Sequence, residues 1–399
     1  MAQVLLVQPR FPVPRKSHFH RDYLPVGLLK IGAWRRSLGD DVKLVVWGDP
    51  LDGFTPDEVY VTSLFTFWSE YVREAVQGAR SLFPGALIRV GGIYASLAPK
   101  ECKEFTGSDE VHEGIHPEAE AEAPAFDLVE TDYQIVHASR GCVRRCDFCG
   151  TYRIEPKYKA KKTIKNEIVK PKVVFYDNNL LANPHIENIL EELADFRLDG
   201  RVISCESQSG LDGRILQEKP HLAALLKAAR FRNARIAWDG PLADDENILT
   251  QLDILRDAGY SNRQLQVFML YNHDRAPEEV FAKVEQCSEW GVQVSDCRYR
   301  PLDRYVDGYD PRAKSQTRDE YFLADGWRDE QVRGLRRTVR LNNICIRYGI
   351  PRERYSSQLE RIPRAARSAA AASLGLDASS HEEDEIRAIN TTLLGGRKK

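Results

Sequence analysis

Gly141-Cys142-Val143-Arg144-Arg145-Cys146-Asp147-Phe148-Cys149-Gly150 places three cysteines within eight residues, spaced Cys-x3-Cys-x2-Cys. The stretch directly follows residues 134–138, an apolar run that reads as a buried strand. Thiolates this close can wrap one face of a cubane iron–sulfur cluster, whose usual ligands are cysteine thiolates. With three local ligands one iron keeps an open position, which is what substrate chemistry needs. Structural zinc asks for four closed ligands, and a distant His137 or Cys205 would have to supply the fourth. A redox dithiol would use two cysteines and leave the third unexplained. Cys205, Cys287, Cys297 and Cys345 are single and widely spaced, so they announce neither a second cluster nor a disulfide framework. Ligand cysteines without disulfides point to a reducing compartment, and a cytoplasmic location is expected.

Outward from this loop, strand-like runs recur at 134–138, 173–176, 202–205, 234–238, 264–270 and 292–298. Helical segments at 185–196, 222–231, 246–258 and 277–290 lie between them. Six βα units predict a partial (β/α)6 barrel over residues 131–305, with chemistry at the C-terminal ends of its strands. Before it, strands at 4–8, 42–47, 58–63 and 87–92 alternate with helices at 25–36 and 69–82. This rhythm predicts a doubly wound, Rossmann-like α/β domain over 1–111. Residues 112–130 are acidic and small and read as a linker. Residues 306–399 read as a helical extension, weakly ordered at 369–372 and 395–399.

The cysteine spacing, the aromatic Phe148 before the last cysteine and the position after a strand resemble the radical SAM superfamily over roughly residues 131–300. That resemblance implies a [4Fe-4S] cluster on Cys142, Cys146 and Cys149, with the fourth iron chelating S-adenosylmethionine through its amino and carboxylate groups. It also implies reductive cleavage to a 5′-deoxyadenosyl radical, and a reductant such as a flavodoxin or ferredoxin. The protein's part in such chemistry is to position the cofactor and exclude competing reactions.

Polar residues at strand ends supply further candidates. Asp177-Asn178-Asn179 stands where family members often carry an element that meets the SAM amino group; a helix cap and turn would also account for it. Gln208 and Arg214, after the third strand, suit the SAM carboxylate or substrate, while Asp212 reads as a helix cap. Asp239, after the fourth strand, matches a ribose contact, since charged acceptors make the stronger hydrogen bonds. Leu270 on the fifth strand and Phe148 offer apolar surface to adenine. Arg298, Arg300 and Arg304, around the end of the sixth strand, are substrate candidates.

Residues 1 to about 110 resemble the cobalamin-binding-type Rossmann domains that precede many radical SAM barrels. The resemblance rests on Pro25-Val26-Gly27-Leu28, Ser63 and Val90-Gly91-Gly92-Ile93-Tyr94-Ala95-Ser96. The Asp-x-His-x-x-Gly motif that supplies an axial histidine is absent, so the sequence leaves cobalamin and a fold of the same shape without it as alternatives.

The chain has 399 residues, with 57 Lys+Arg against 59 Asp+Glu, a formal charge of −2 that excludes a generic nucleic-acid coat. No apolar run approaches the roughly 18 residues of a membrane span, and no secretory leader is expected. Charge is nevertheless uneven. Residues 152–172 hold eight Lys+Arg against two acids, and arginine is in excess over 298–367. Arginine forks suit phosphate and carboxylate, so an anionic substrate is expected, nucleotide or nucleic-acid-like; a solvated basic face is the alternative. The resulting expectation is a radical SAM enzyme acting on an anionic substrate. A cobalamin-dependent radical methyltransferase is the runner-up, and a non-catalytic iron–sulfur or metal sensor the third reading.

Overall fold

Val4, Leu5, Leu6 and Val7 are all fully buried, the pattern of a strand covered on both faces. In the computed structural model, which describes residues 1–12 and 23–350, this run lies in β1 (Gln3–Gln8). β2 (Asp41–Val46) pairs on one side of it and β3 (Glu58–Ser63) on the other. β4 (Leu87–Gly92) and the two-residue β5 (Glu110–Val111) complete a five-stranded parallel sheet in the Rossmann-like order β2-β1-β3-β4-β5. Alternation sorts its faces. Val4 and Leu6 pack with Leu28 of α1 (Val26–Ser37). Leu5 and Val7 pack with Val72, Ala75 and Val76 of α2 (Ser69–Leu82) on the opposite face.

β5 is followed by a four-residue helix, Pro117–Glu120, rather than a long one. The expected linker is packed along α1: Ala119 is buried, the Ala125 N–H donates to the Leu29 carbonyl at 3.1 Å, and Lys30 pairs with Glu120 at 2.9 Å.

The second half of the described chain builds two more parallel sheets. β6 (Tyr133–Val136), β7 (Lys172–Phe175), β8 (Ser204–Ser207) and β9 (Phe231–Arg232) pair in that order. β10 (Ala234–Ala237), β11 (Leu265–Tyr271) and β12 (Gln293–Arg298) form the next. Only Asn233, in the left-handed region at φ 54°, separates β9 from β10. It turns the chain so that 231–232 pair back to β8 while 234–237 pair on to β11. The strand expected at 234–238 is thus present as 234–237, and the short strand 231–232 stands where the end of the helix 222–231 was expected. The third strand also lies two residues later than expected, which brings Glu206 inside it.

On β11, Leu265, Val267, Met269 and Tyr271 are buried while Gln266, Phe268 and Leu270 are half-buried. The first set joins Val173, Phe175, Cys205 and Ile236 in a core with helices Ile186–Asp195, His221–Ala228, Asp245–Asp257 and Pro277–Glu289. On the other face Tyr133, Ile135 and Val174 pack against Leu24 and Leu29, so the first part of the chain covers the side that the helices leave bare.

An edge strand presents unpaired backbone groups. At β12 the helix Asp329–Tyr348 meets them: Asn343 accepts from the Val294 N–H at 2.8 Å and donates to the Val294 carbonyl at 2.7 Å. Residues 351–399, with the stretches 369–372 and 395–399, lie outside the described residues. Among the described residues no helix is long and apolar enough to cross a membrane.

Asn343→Ala leaves both Val294 groups without these partners. It should lower unfolding stability by about 1–3 kcal/mol, the scale of such a loss, as read by chemical denaturation; unchanged stability would show that the edge does not need this cap.

Candidate functional site

The cysteine loop begins at Gly141, where the backbone turns to φ 76° and an added Cβ would sit 2.8 Å from the Lys157 carbonyl oxygen. Only glycine fits that close approach. The segment just before it is clasped by Asp177, past the end of β7. Its carboxylate is fully buried and accepts from the Ala138 N–H at 3.1 Å, the Ser139 hydroxyl at 2.7 Å and the Ser139 N–H. Burial pushes its pKa up to about 6, against the pull of these hydrogen bonds.

Cys142, Cys146 and Cys149 are free and half-buried. The Arg144 N–H donates to Cys142 Sγ at 3.3 Å, and Thr151 Oγ1 lies 3.2 Å from Cys149 Sγ. Burial raises the Cys146 thiol pKa, and the charges of Asp239, Cys149 and Cys142 raise it further. The three sulfurs and Asp239 are therefore within electrostatic reach of one another. Among the described residues no three His, Cys, Asp or Glu side chains converge as a single metal ion requires. A cluster differs from a single ion in holding each thiolate on a separate iron.

The loop is pinned from across the sheet. Asp212, nearly buried, meets Arg144 through two nitrogens at 3.0 Å, Arg214 at 2.9 Å and the Asn179 amide at 3.1 Å. Burial alone would raise its pKa, but hydrogen bonds from Arg214 and Arg144 carry it below the usual range. Asp212 is thus no simple helix cap: its side chain makes no capping bond to the helix Gly213–Glu218. Sequence gave no sign of this pairing, because Arg144 and Asp212 are 68 residues apart.

The remaining candidates divide. Asn178 is exposed, receives the Thr151 hydroxyl at 3.1 Å and lines a cavity; Gln208 lines the same cavity, and its Oε1 is buried without a partner. Asp239 reaches solvent yet is crowded by protein, which raises its pKa, while Lys283 and Arg214 pull it down. Phe148 stands edge-on to His273 at 6.0 Å, and Leu270 is half-buried on the face away from the helices. Asn179 is buried against Asp212, and Asp177 against Ala138 and Ser139, so both hold the loop rather than face a ligand.

The three arginines do not form an open anion site. The Arg298 side chain is 4% exposed, pairs with Asp307 and lies against the Tyr309 ring at 4.6 Å. Arg300 shares Asp307 at 2.6 Å and covers Phe67 at 4.1 Å; Arg304 donates to the Val306 carbonyl at 3.1 Å. In the earlier basic run, Lys161 pairs with Glu167, Lys165 with Glu192 and Lys172 with Asp132. A linear count of charge misses acids supplied from elsewhere in the fold.

The cavity, about 820 Å³, lies between the two halves of the chain. Ser63, Gly91, Gly92, His112 and His116 line one side, and His137, Arg140, Thr151, Asn178 and Gln208 the other. Gly92 has φ 104°, and a Cβ there would fall 2.2 Å from the Ser63 carbonyl oxygen, so packing already accounts for this glycine. Comparison with known proteins returns no matching family model and no matching curated protein.

Asp212→Asn should lower stability by about 1–3 kcal/mol at neutral pH. The wild-type advantage should be full above the ordinary aspartate pKa of about 3.9 and be lost as the pH falls through the depressed folded value. Denaturation of both proteins across pH 3–7 reads this; a constant difference would assign the effect to packing.

Proposed function

We propose that this chain is a radical SAM enzyme, with β6 to β12 as a partial (β/α)6 barrel and Cys142, Cys146 and Cys149 as the ligands of a [4Fe-4S] cluster. One observation carries the reading. A three-thiol loop stands at the carboxyl end of the first of these parallel strands, and Asn178, Gln208 and Asp239, from the ends of later ones, gather beside it. The donor set fits: soft thiols, none in a disulfide, two of them already receiving backbone N–H groups. Bound there, the cluster would supply the electron that cleaves S-adenosylmethionine to a hydrogen-abstracting radical.

The chain's own residues then have separable tasks. Asp177 and Asp212 fix the two ends of the loop's first half. Asp239 accepts from the ribose hydroxyls, and Arg214, exposed beside Cys146, meets the carboxylate of the ligand. The Asn178 amide oxygen accepts from the ammonium group, and Phe148 and Leu270 supply apolar surface to adenine. A flavodoxin or ferredoxin would serve as reductant.

A second reading, the cobalamin-dependent methyltransferase, is favoured by the cavity, which runs from Ser63, Gly91 and Gly92 to Asn178 and Gln208. Among the described residues, none of its three histidines occupies the loop after β1, where the cobalamin motif would put one; His18 and His20 of that loop lie outside the described residues.

Changing Cys142, Cys146 or Cys149 to Ala should abolish the cluster after anaerobic reconstitution, as read by iron, sulfide and visible absorption. An intact cluster in any of the three variants would remove the assignment. Asp239→Ala should keep the cluster and weaken SAM binding by about 1–3 kcal/mol, the scale of a lost charged hydrogen bond. Unchanged affinity in a titration would remove the ribose role.

A further inference from the structure

Among the described residues, the wall of the cavity carries eight side chains of fixed charge, and they cancel. Lys30, Arg35, Arg89 and Arg140 face Glu58, Glu110, Glu120 and Glu155, four against four. Each is paired within the wall. Arg35 meets Glu58 at 2.7 Å, and Arg89 joins Glu58 to Glu110, the latter at 2.6 Å. Lys30 meets Glu120 at 2.9 Å, and Arg140 lies between Glu120 at 3.6 Å and Glu155 at 3.3 Å.

Two imidazoles add no charge at neutral pH. Burial lowers the pKa of His116, and His112 lowers it further; burial holds that of His137 well below the ordinary range, helped by Arg140 and Lys30. Much of the remaining wall is aliphatic, with Val26, Ile31, Ile93, Ile115, Ile135 and Leu302 among its residues. Rings form one flank: Trp34 lies 4.5 Å from His116, which stacks on His112 at 4.8 Å. Hydrogen-bonding capacity remains at Gln208 Oε1 and His112 Nε2, both without partners.

An anion entering such a site would lose its hydration and meet, among the described residues, only cations already held by carboxylates. It would bind only by breaking a wall pair, and a buried charge without its own partner is costly. A neutral molecule faces no such cost. It gains by burying apolar surface and can donate to Gln208 Oε1. The volume is that of a drug-sized ligand site, typically about 300–1,000 Å³.

We propose that this cavity binds a neutral, largely apolar substrate with a flat ring system, in place of the anionic substrate that the sequence suggests. That it is the substrate rests on the radical SAM reading; that the site selects neutral ligands does not, since the cavity needs neither cluster nor SAM.

The test uses the full chain and two probes of one ring system. N-phenyl-1-naphthylamine is neutral, and 8-anilinonaphthalene-1-sulfonate adds a sulfonate. Fluorescence titration should give saturable binding of the neutral probe at one site, with the sulfonate about tenfold weaker, a difference of about 1.4 kcal/mol. Gly27, on α1, lines the cavity, and a Cβ there meets nothing within 4 Å. Gly27→Phe should therefore fill the site and abolish neutral-probe binding while the circular dichroism stays that of the wild type. Glu120→Gln removes a carboxylate from Lys30 and Arg140. It should leave neutral-probe affinity unchanged and tighten sulfonate binding about three- to tenfold, of the order of 1 kcal/mol. Sulfonate binding to the wild type as tight as that of the neutral probe would overturn the proposal. So would neutral-probe binding that Gly27→Phe leaves intact, or a copurifying corrinoid that the probe displaces. Failure here leaves the thiol-loop assignment standing, and failure of the cluster experiments leaves this one standing.

Discussion

A single nearly buried carboxylate, Asp212, fixes where the cysteine loop can lie. Arg144 sits between Cys142 and Cys146, Asn179 follows the end of β7, and Arg214 opens the helix that follows β8. All three converge on Asp212 within 3.1 Å. A carboxylate out of water is tolerated only when paired and hydrogen-bonded, so releasing Arg144 would strand the charge. That penalty holds a glycine-bounded loop to one course, with Asp177 doing the same from the strand before it. A three-thiol site needs such constraint, because sulfurs on a free loop would lose conformational entropy at every ligation.

The second constraint is directional. Parallel strands all end on the same edge, and helices claim one face of the sheets that carry the cysteine loop. The remaining face is covered by Leu24 and Leu29 from the first part of the chain. Since β5 is followed by only a four-residue helix, the α1 side of the first sheet also lacks a full cover. The cavity occupies the space between, with Glu58, Arg89 and Glu110 of one sheet in its wall and His137 and Gln208 near strand ends of the other. Ion pairs close the polar part of that wall internally, and this turns a charged surface into a site for uncharged ligands.

Much of this was legible in the sequence, because the strands are short, apolar and separated by helical spacing. β3 and β4 fall where 58–63 and 87–92 predicted them, and the cysteine loop follows a strand as expected. The short strand before Asn233 was hidden, since two residues carry no period and Phe231 reads as the end of the preceding helix. Polar strand ends were visible as a class, but their roles were not. Asp177 and Asn178 are adjacent, yet one is buried on the backbone and the other lines the cavity; strand alternation and tertiary packing decide between them. Arg298 and Arg300 read as free positive charge because Asp307, their common partner, belongs to the following turn.

The central claim is most directly tested by what the reconstituted protein does to S-adenosylmethionine. With anaerobically loaded iron and sulfide and a strong one-electron reductant, the wild type should release methionine and 5′-deoxyadenosine, identified by mass spectrometry. Cys146→Ala, treated in the same way, should release neither above background. A cluster-loaded wild type that leaves S-adenosylmethionine intact, or cleaves it no faster than Cys146→Ala, would contradict the account.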